Sequence, residues 1–322
     1  MSTREILSTK ISSVILKSCL YNASGCWCVT KKELEDVFDS KAGAVISKSC
    51  TFSPRDGNPK PRFYDNEFGS INSMGMPNKG YRFYTYMSHE LGKRARSADY
   101  EKPYIISVSG IDLEELISML SYIDKQGPPT KRLVEVNLSC PNIPGESQVS
   151  YNFKRMDASL LRIFSQKYNN ILIGLKLSPY FDPSHIKTVS GILSRYPLNF
   201  ITCINSLGNG MIIHPDTDKA SIVPKKGLGG VGGVYCKPIA LSNVFQFYRE
   251  LGDHINIIGC GGVTSGRDAY EHILCGASAI QIGTQLVKEG VGCFARIERE
   301  LLEIMREKGY RTIDEFRGLL HE

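Results

Sequence analysis

The sequence predicts an α/β protein whose core is a closed (β/α)8 barrel, or TIM barrel, with inserted loops and a small β-hairpin over its C-terminal face. Short apolar runs ending in Gly, Ser, Asn or Pro alternate with amphipathic helical stretches, and this pair occurs eight times in 322 residues. Eight such units close into a parallel barrel, which typically takes ~250 residues. We therefore predict a single domain over residues 1–322. An open doubly wound sheet is the alternative, because one sequence does not reveal strand order.

Each unit supplies one strand and one helix. The predicted strands are Ser18–Asn22, Ala44–Ser49, Tyr104–Ser109, Leu133–Leu138, Ile171–Leu177, Phe200–Asn205, Ile255–Gly259 and Ala279–Gly283. The predicted helices lie near Lys31–Asp39, Tyr81–Arg96, Asp112–Ile123, Asp157–Tyr168, Pro183–Arg195, Ile239–Leu251, Ser265–Cys275 and Val291–Lys308. Two helices have clear end signals, since Asp112 can cap the third and Gly309 follows the last.

Two connections are too long for simple loops between a strand and its helix. They run from Cys50 to about Gly80 and over residues 206–237. Within the second, Met211–His214 and Ala220–Val223 predict the small hairpin. Long loops at one end of a barrel usually build the functional site.

Glycines mark further turns late in the chain. Gly227–Gly233 matches G-x-G-x-x-G, but it follows a basic turn rather than a long buried strand, so we reject a Rossmann nucleotide site. Gly261-Gly262 and Gly283-Thr284 follow the seventh and eighth strands. In barrels, the loops after these strands commonly hold a phosphate through backbone N–H groups. The plainer alternative is that these glycines only form tight turns.

Composition excludes several classes of protein. With 42% hydrophobic and 22% charged residues, the chain has the make-up of an ordinary globular protein, and its net charge of +6 is too dispersed for a nucleic-acid platform. The ten cysteines include no C-x-x-C pair, so we expect no metal site. The absence of a signal peptide or an apolar run of ~18 residues predicts a cytoplasmic protein that does not span a membrane.

A cysteine follows the fourth predicted strand. That strand stops where Pro141 removes a backbone donor, and Asn137 and Asn142 flank Cys140 with amides that donate and accept. A reactive thiol would be presented in this way at the carboxyl end of a barrel strand. Taken alone, a buried structural cysteine is the commoner explanation.

Polar residues also end three other strands. Lys48 ends the second strand, Lys176 the fifth, and Asn205-Ser206 the sixth. A lysine among apolar strand residues must either extend to solvent or meet an anion, because an unpaired buried ammonium is costly. Catalytic residues of barrels come from these strand ends. The set therefore predicts a site, although either lysine alone could be a rim residue.

Four motifs then give the chain a family likeness. They are Ser70–Gly75, Asn137–Asn142, Cys203–Gly210 and Gly259–Val263. They resemble the motifs of dihydroorotate dehydrogenases, and most of all those of the soluble class 1A branch. The resemblance extends from about Tyr21 to about Gly318, which is nearly the whole chain.

This resemblance implies FMN-dependent oxidation of (S)-dihydroorotate to orotate in pyrimidine (UMP) biosynthesis. Cys140 would be the general base at carbon 5, and hydride would pass from carbon 6 to FMN. The implied substrate-binding residues are Lys48, Asn72, Met74, Gly75, Met76, Asn137, Asn142, Asn205 and Ser206. The implied FMN-binding residues are Ala23, Ser49, Lys176, Ile204, Gly233, Gly261, Gly262, Gly283 and Thr284.

The branch of the family that the chain resembles determines which electron acceptor and which assembly are implied. Membrane-linked relatives use a serine base and carry an N-terminal hydrophobic extension, whereas this chain has Cys140 and shows no such extension. A heteromeric branch passes electrons to a separate iron–sulfur flavoprotein, but the loop over residues 141–145 resembles that of homodimers that use fumarate and release succinate. No nucleic acid or membrane is expected as a partner. Met76, Ser178 and Glu146-Ser147 depart from the family pattern. Two alternatives stay open, an oxidoreductase for another dihydropyrimidine and a catalytically silent FMN-binding barrel.

Overall fold

The computed structural model describes residues 6–96, 102–110, 112–126, 131–138, 149–214 and 216–321. The strands, in chain order, are β1 (Thr9–Ile11), β2 (Val14–Leu16), β3 (Leu20–Asn22), β4 (Val45–Ile46), β5 (Phe63–Asp65), β6 (Gly69–Asn72), β7 (Tyr104–Val108), β8 (Arg132–Asn137), β9 (Ile171–Lys176), β10 (Phe200–Cys203), β11 (Leu207–Gly210), β12 (Ile213–His214), β13 (Lys219–Ala220), β14 (Gly229–Gly233), β15 (Asn256–Cys260) and β16 (Ala279–Ile282). The helices are α1 (Lys31–Asp39), α2 (Tyr81–Arg96), α3 (Leu113–Lys125), α4 (Phe153–Phe164), α5 (Pro183–Leu193), α6 (Lys237–Leu251), α7 (Gly266–Leu274), α8 (Thr284–Glu289) and α9 (Gly292–Lys308).

Eight parallel strands form the barrel, in the order β3-β16-β15-β10-β9-β8-β7-β4. These are the eight predicted strands, so the predicted barrel is confirmed. All eight predicted helices are present. The largest shift is in α4, which begins four residues before its predicted start because the side chain of Asn152 caps it by accepting from Arg155 N.

A side chain completes the ring between β3 and β4. Asn22 Oδ1 accepts from Ile46 N at 2.9 Å, and Asn22 Nδ2 donates to Ile46 O at 2.8 Å. Both residues are 0% exposed. The amide of Asn22 therefore takes the place of a backbone rung where the barrel closes, and it keeps two buried backbone groups paired.

A second, antiparallel sheet in the order β11-β14-β6-β5 is built from the two long connections, and the sequence did not predict it. Its strand β14 is the glycine-rich segment that matched the nucleotide motif. A Cβ at Gly229 would lie 2.5 Å from the carbonyl oxygen of Asn72, so the two strands approach too closely for a side chain there. A strand made mostly of glycine has no apolar alternation, which explains why it was missed.

Smaller elements complete the fold. The predicted hairpin is present as the antiparallel pair β12 and β13, with shorter strands than predicted. The antiparallel pair of β1 and β2, and the short helix α8, were not predicted. Within the described ranges, no helix is both long and apolar enough to cross a membrane.

Replacing Asn22 by Ala should strongly destabilise the barrel, because the N–H and C=O groups of Ile46 would be left buried without partners. We expect the free energy of unfolding to fall by about 2–6 kcal/mol, since each of the two unpaired buried groups costs about 1–3 kcal/mol. Urea denaturation followed by circular dichroism measures this change. The control Asn152→Ala removes one exposed cap bond and should cost only about 1 kcal/mol. An equal cost for both variants would contradict the closing role of Asn22.

Candidate active site

A cavity of about 550 Å³ opens where the carboxyl ends of the barrel strands meet. Cavities of this size suit a small molecule or cofactor. Every predicted site residue that the structure describes contributes to the lining, namely Ala23, Lys48, Ser49, Asn72, Met74, Gly75, Met76, Asn137, Lys176, Ile204, Asn205, Ser206, Gly233, Gly261, Gly262, Gly283 and Thr284. The fold thus brings these residues together, while their individual roles stay predictions.

Two predicted residues lie outside the described residues. They are Cys140 and Asn142, which fall in the stretch 139–148. The strand that leads to them, β8, ends at Asn137 in the cavity wall. Their placement relative to the cavity stays a prediction.

Amide side chains form one part of the lining. Asn205 Nδ2 donates to Asn137 Oδ1 at 3.3 Å, and Asn137 Nδ2 donates to Ser49 Oγ at 3.3 Å. Asn72 Nδ2 donates to a backbone carbonyl of β14 at 3.1 Å. These bonds hold the amides at the cavity. Because amides both donate and accept, this wall suits a planar ligand with both kinds of group on its edges.

Both predicted lysines are buried and line the cavity. Lys48 Nζ donates to the carbonyl oxygen of Gly25 at 2.9 Å, and Lys176 Nζ donates to Gln281 Oε1 at 2.6 Å. Lys176 is only 5% exposed. Neither lysine reaches out to solvent, so both place positive charge inside the site.

The charge of Lys176 is stabilised by its surroundings. Burial alone would lower the pKa of this ammonium, but its interactions with Cys260 and with the Glu135 carboxylate outweigh burial, and the pKa is raised. Lys176 therefore carries a full positive charge at neutral pH. A buried positive charge of this kind favours any reaction that builds negative charge beside it.

Glycine turns follow β15 and β16, as predicted. Gly261 and Gly262 have φ of 137° and 73°, values that strain any other residue. After β16, Thr284 Oγ1 lies 3.0 Å from Ser70 Oγ, which joins this turn to the antiparallel sheet. The two turns together leave an open cradle at one end of the cavity. Cradles at this place in barrels commonly hold phosphate.

Two groups support the Gly261-Gly262 turn from behind. Buried His272 donates from Nε2 to Gly261 O at 3.0 Å, and burial lowers its pKa to about 4, so it is neutral at neutral pH. Lys237 packs against Gly262, and its Nζ is held by Asp268 at 2.5 Å and by Glu271 at 2.6 Å. The turn is therefore fixed before any ligand binds.

Sequence reasoning missed several residues of the lining. Trp27, Cys260 and Gln281 all line the cavity, and the Gln281 amide contacts Lys176 directly. One signal for Gln281 was available, because it is a polar residue inside the apolar strand β16. Nothing in the local pattern pointed to Trp27 or Cys260.

Fold and cavity together define a (β/α)8-barrel enzyme whose cavity is lined by the glycine turns after β15 and β16 and by the amide wall. The chain belongs to the dihydroorotate dehydrogenase family, because residues 6–305 match the family model described as Dihydroorotate dehydrogenase. The predicted family and its oxidoreductase class are thereby confirmed.

Individual relatives agree over nearly the full length. The chain is 48% identical over 313 residues to “Putative dihydroorotate dehydrogenase A (fumarate)” of Streptococcus equi subsp. equi, with 97% of each chain covered. It is 47% identical over 300 residues to “Dihydroorotate dehydrogenase (fumarate)” of Lachancea kluyveri, with 93% of each covered. Its fold resembles that of DHODH from Eimeria tenella in complex with ferulenol, at TM-score 0.82 and 20% identity, over 99% of this chain and 90% of that one.

FMN is the cofactor of this family, and the predicted cofactor is confirmed at that level. The lining fits such a group. A Cβ at Gly232 would lie 3.1 Å from both Ser70 Oγ and Thr284 Oγ1, so its absence leaves room in a cradle with two hydroxyl donors. The buried ammonium of Lys176 suits the negative charge that a flavin ring takes up on reduction.

Replacing Gly262 by Ala should weaken FMN binding by at least ~10-fold, the consequence of about 1–3 kcal/mol of backbone strain. The new Cβ would also lie 2.4 Å from the Cβ of Lys237. Fluorescence titration of the apoprotein with FMN measures the effect. Gly292→Ala is the matched control, because nothing lies within 4 Å of its Cβ position. Unchanged FMN affinity in Gly262→Ala would argue against the cradle.

Proposed function

We propose that this protein oxidises (S)-dihydroorotate to orotate in pyrimidine biosynthesis, with FMN as its cofactor and fumarate as its electron acceptor. The observation that carries this proposal is the meeting of the amide wall and the buried Lys176 ammonium in one cavity. The fumarate-linked names of the full-length relatives support the choice of acceptor.

The amide wall is proposed to bind the substrate. Orotate is planar and carries imide and carboxylate edges, so Asn72, Asn137 and Asn205 can match its donors and acceptors. Lys48 supplies a positive charge for the carboxylate, and Asn142 and Ser206 are proposed to add further hydrogen bonds.

The turn at Gly75 and Met76 is proposed to contribute backbone groups to substrate binding. Gly75 and Met76 have φ of 71° and 55°, and Asn58 N donates to Met74 O at 2.9 Å. A Cβ at Gly75 would lie 2.4 Å from Asn58 Oδ1, so the turn tolerates no side chain there. A turn held so tightly can present backbone N–H groups at fixed positions.

The other end of the cavity is proposed to hold the cofactor. The glycine turns after β15 and β16 would bind its phosphate, and Lys176 would lie beside the ring system. The chemistry that bound FMN supplies is the acceptance of two electrons and a hydrogen from carbon 6 of the substrate. Lys176 stabilises the negative charge that follows.

Cys140 is proposed as the base that removes the proton from carbon 5. It follows β8, whose last residue, Asn137, lies in the cavity wall. A thiol becomes an effective base when nearby positive charge lowers its pKa toward neutrality. The lysines of the cavity supply such charge if the loop carries Cys140 over the site.

We also propose a homodimer located in the cytoplasm, on the family likeness alone. Light scattering coupled to size-exclusion chromatography tests the assembly. A particle with the mass of one chain at micromolar concentration would contradict the dimer.

Anaerobic addition of dihydroorotate to the FMN-loaded protein should bleach the flavin spectrum, and fumarate should then restore it. Dihydrouracil should do neither at equal concentration, because it lacks the carboxylate that Lys48 is proposed to bind. Reduction by dihydrouracil in place of dihydroorotate would favour the other dihydropyrimidine. A flavin that stays oxidised with both compounds would favour the catalytically silent barrel.

Cys140→Ala should leave FMN and orotate bound, because the residues proposed for those contacts lie elsewhere. Flavin reduction by dihydroorotate should nevertheless slow by at least ~10²-fold, the lower end of what a positioned base contributes. Cys140→Ser should retain slight activity that increases with pH, since an alcohol is much harder to ionise than a thiol.

Stopped-flow reduction, with orotate binding measured in parallel, follows both variants. Near-normal reduction in Cys140→Ala would rule out the thiol as base. Joint loss of flavin and stability would instead indicate the structural cysteine.

A further inference from the structure

The barrel interior next to Lys176 is polar. Glu135, Thr202 and Gln281 lie on β8, β10 and β16, and each is at most 1% exposed. Interior positions of such barrels are usually filled by branched apolar residues. A carboxyl group in this position is costly unless it is compensated, so its presence needs a physical reason.

One carboxylate oxygen of Glu135 accepts two hydrogen bonds. Thr202 Oγ1 and Gln281 Nε2 each donate to Glu135 Oε2 at 2.7 Å. The other oxygen, Oε1, is buried and has no hydrogen-bond partner within the described part of the chain. A half-satisfied buried carboxylate is a poor way to stabilise a fold, which argues against a purely structural role.

The amide of Gln281 links this carboxylate to the site. Its Nε2 donates to Glu135 and, at 3.3 Å, to Tyr21 OH, while its Oε1 accepts from Lys176 Nζ at 2.6 Å. A flipped amide would set its NH2 group against the ammonium and its oxygen against the carboxylate. Glu135 therefore fixes the orientation in which the amide oxygen faces Lys176.

The ionisable groups that face Lys176 differ in sign and strength. They are Glu135 on β8, Cys203 on β10 and Cys260 on β15, and Tyr21 on β3 lies behind Gln281. Burial raises the pKa of the Cys203 thiol and of the Tyr21 phenol. Cys260 and Glu135 both raise the pKa of Lys176, Cys260 by more, and Glu135 is the only carboxylate among these four groups.

We propose that Glu135 is a positioning residue that acts through the Gln281 amide to keep the Lys176 ammonium charged and fixed at the cofactor end of the cavity. This inference rests on the proposed function, since it concerns the charge that lies beside FMN. Without Glu135, one of the interactions that oppose burial at Lys176 is lost, and the pKa of the ammonium falls. The negative charge that forms beside it on reduction then loses its stabilising partner.

Glu135→Gln tests this directly, because it keeps the shape of the side chain and removes its charge. The probe is sulfite, which adds reversibly to bound flavin, bleaches its visible absorbance and is favoured by positive charge at the ring. The ratio of the sulfite dissociation constants, variant over wild type, should increase at least ~10-fold from about pH 6 to about pH 9, because an uncompensated buried lysine titrates in this range. If the variant lost only the carboxylate charge and Lys176 kept its proton, the ratio would be the same at every pH.

Two further variants distinguish loss of the Gln281 connection between Glu135 and Lys176 from a general disturbance of the barrel interior. Gln281→Met cuts the link itself, so it should show the same pH-dependent ratio, and it carries the test if Glu135→Gln does not fold. Thr202→Val removes the other hydrogen bond to Glu135 Oε2 but leaves the link intact. Its ratio should not vary with pH, because Glu135, Gln281 and the hydrogen bond between them remain.

The outcomes are distinct. A flat ratio in FMN-loaded Glu135→Gln and Gln281→Met overturns the inference, as does an equal pH dependence in Thr202→Val. A wild-type protein that binds no FMN defeats the proposed function instead. A ratio that depends on pH in Glu135→Gln and Gln281→Met, together with a ratio that does not depend on pH in Thr202→Val, supports the inference.

Discussion

The buried ammonium of Lys176 is the constraint on which the cavity depends. A lysine that is 5% exposed must have an acceptor and an opposite charge within reach, or it loses its proton. Gln281 supplies the acceptor and Glu135 the charge, from two other strands of the barrel. The barrel therefore has polar residues in place of apolar ones in its interior next to the site, and it holds a buried charge there. That charge favours a reaction that builds negative charge nearby.

Parallel pairing places the remaining groups around this charge. In the strand register, Lys176 of β9 lies opposite Asn137 of β8 and Thr202 of β10, so the ends of three strands lie level. Asn22 closes the ring between β3 and β4 with two buried hydrogen bonds. A closed ring fixes the spacing of all eight strand ends, and the amide wall and the glycine cradle inherit that spacing.

Local signals in the sequence were strong enough to predict most of the barrel. The bounds predicted for α1 are those observed, because Thr30 and Glu33 form a capping box that sets where the helix begins. Lys48 and Lys176 were predictable as site residues, since charged side chains end apolar strands there. The glycine strand β14 was not, because its pairing with β6 depends on close backbone approach rather than on a side-chain pattern. The parts played by Asn22 and Gln281 depend on partners distant in the sequence, which no local pattern reveals.

The most direct test of the account is the midpoint potential of bound FMN in the wild-type protein and in Lys176→Met. In the proposed arrangement, with the Lys176 ammonium beside FMN, the positive charge favours reduction, so the potential of Lys176→Met should lie at least ~60 mV below that of wild type, which is about two tenfold steps for a two-electron couple. A variant that binds FMN normally and keeps the wild-type potential within ~10 mV, less than half of one such step, would contradict the central place given to Lys176.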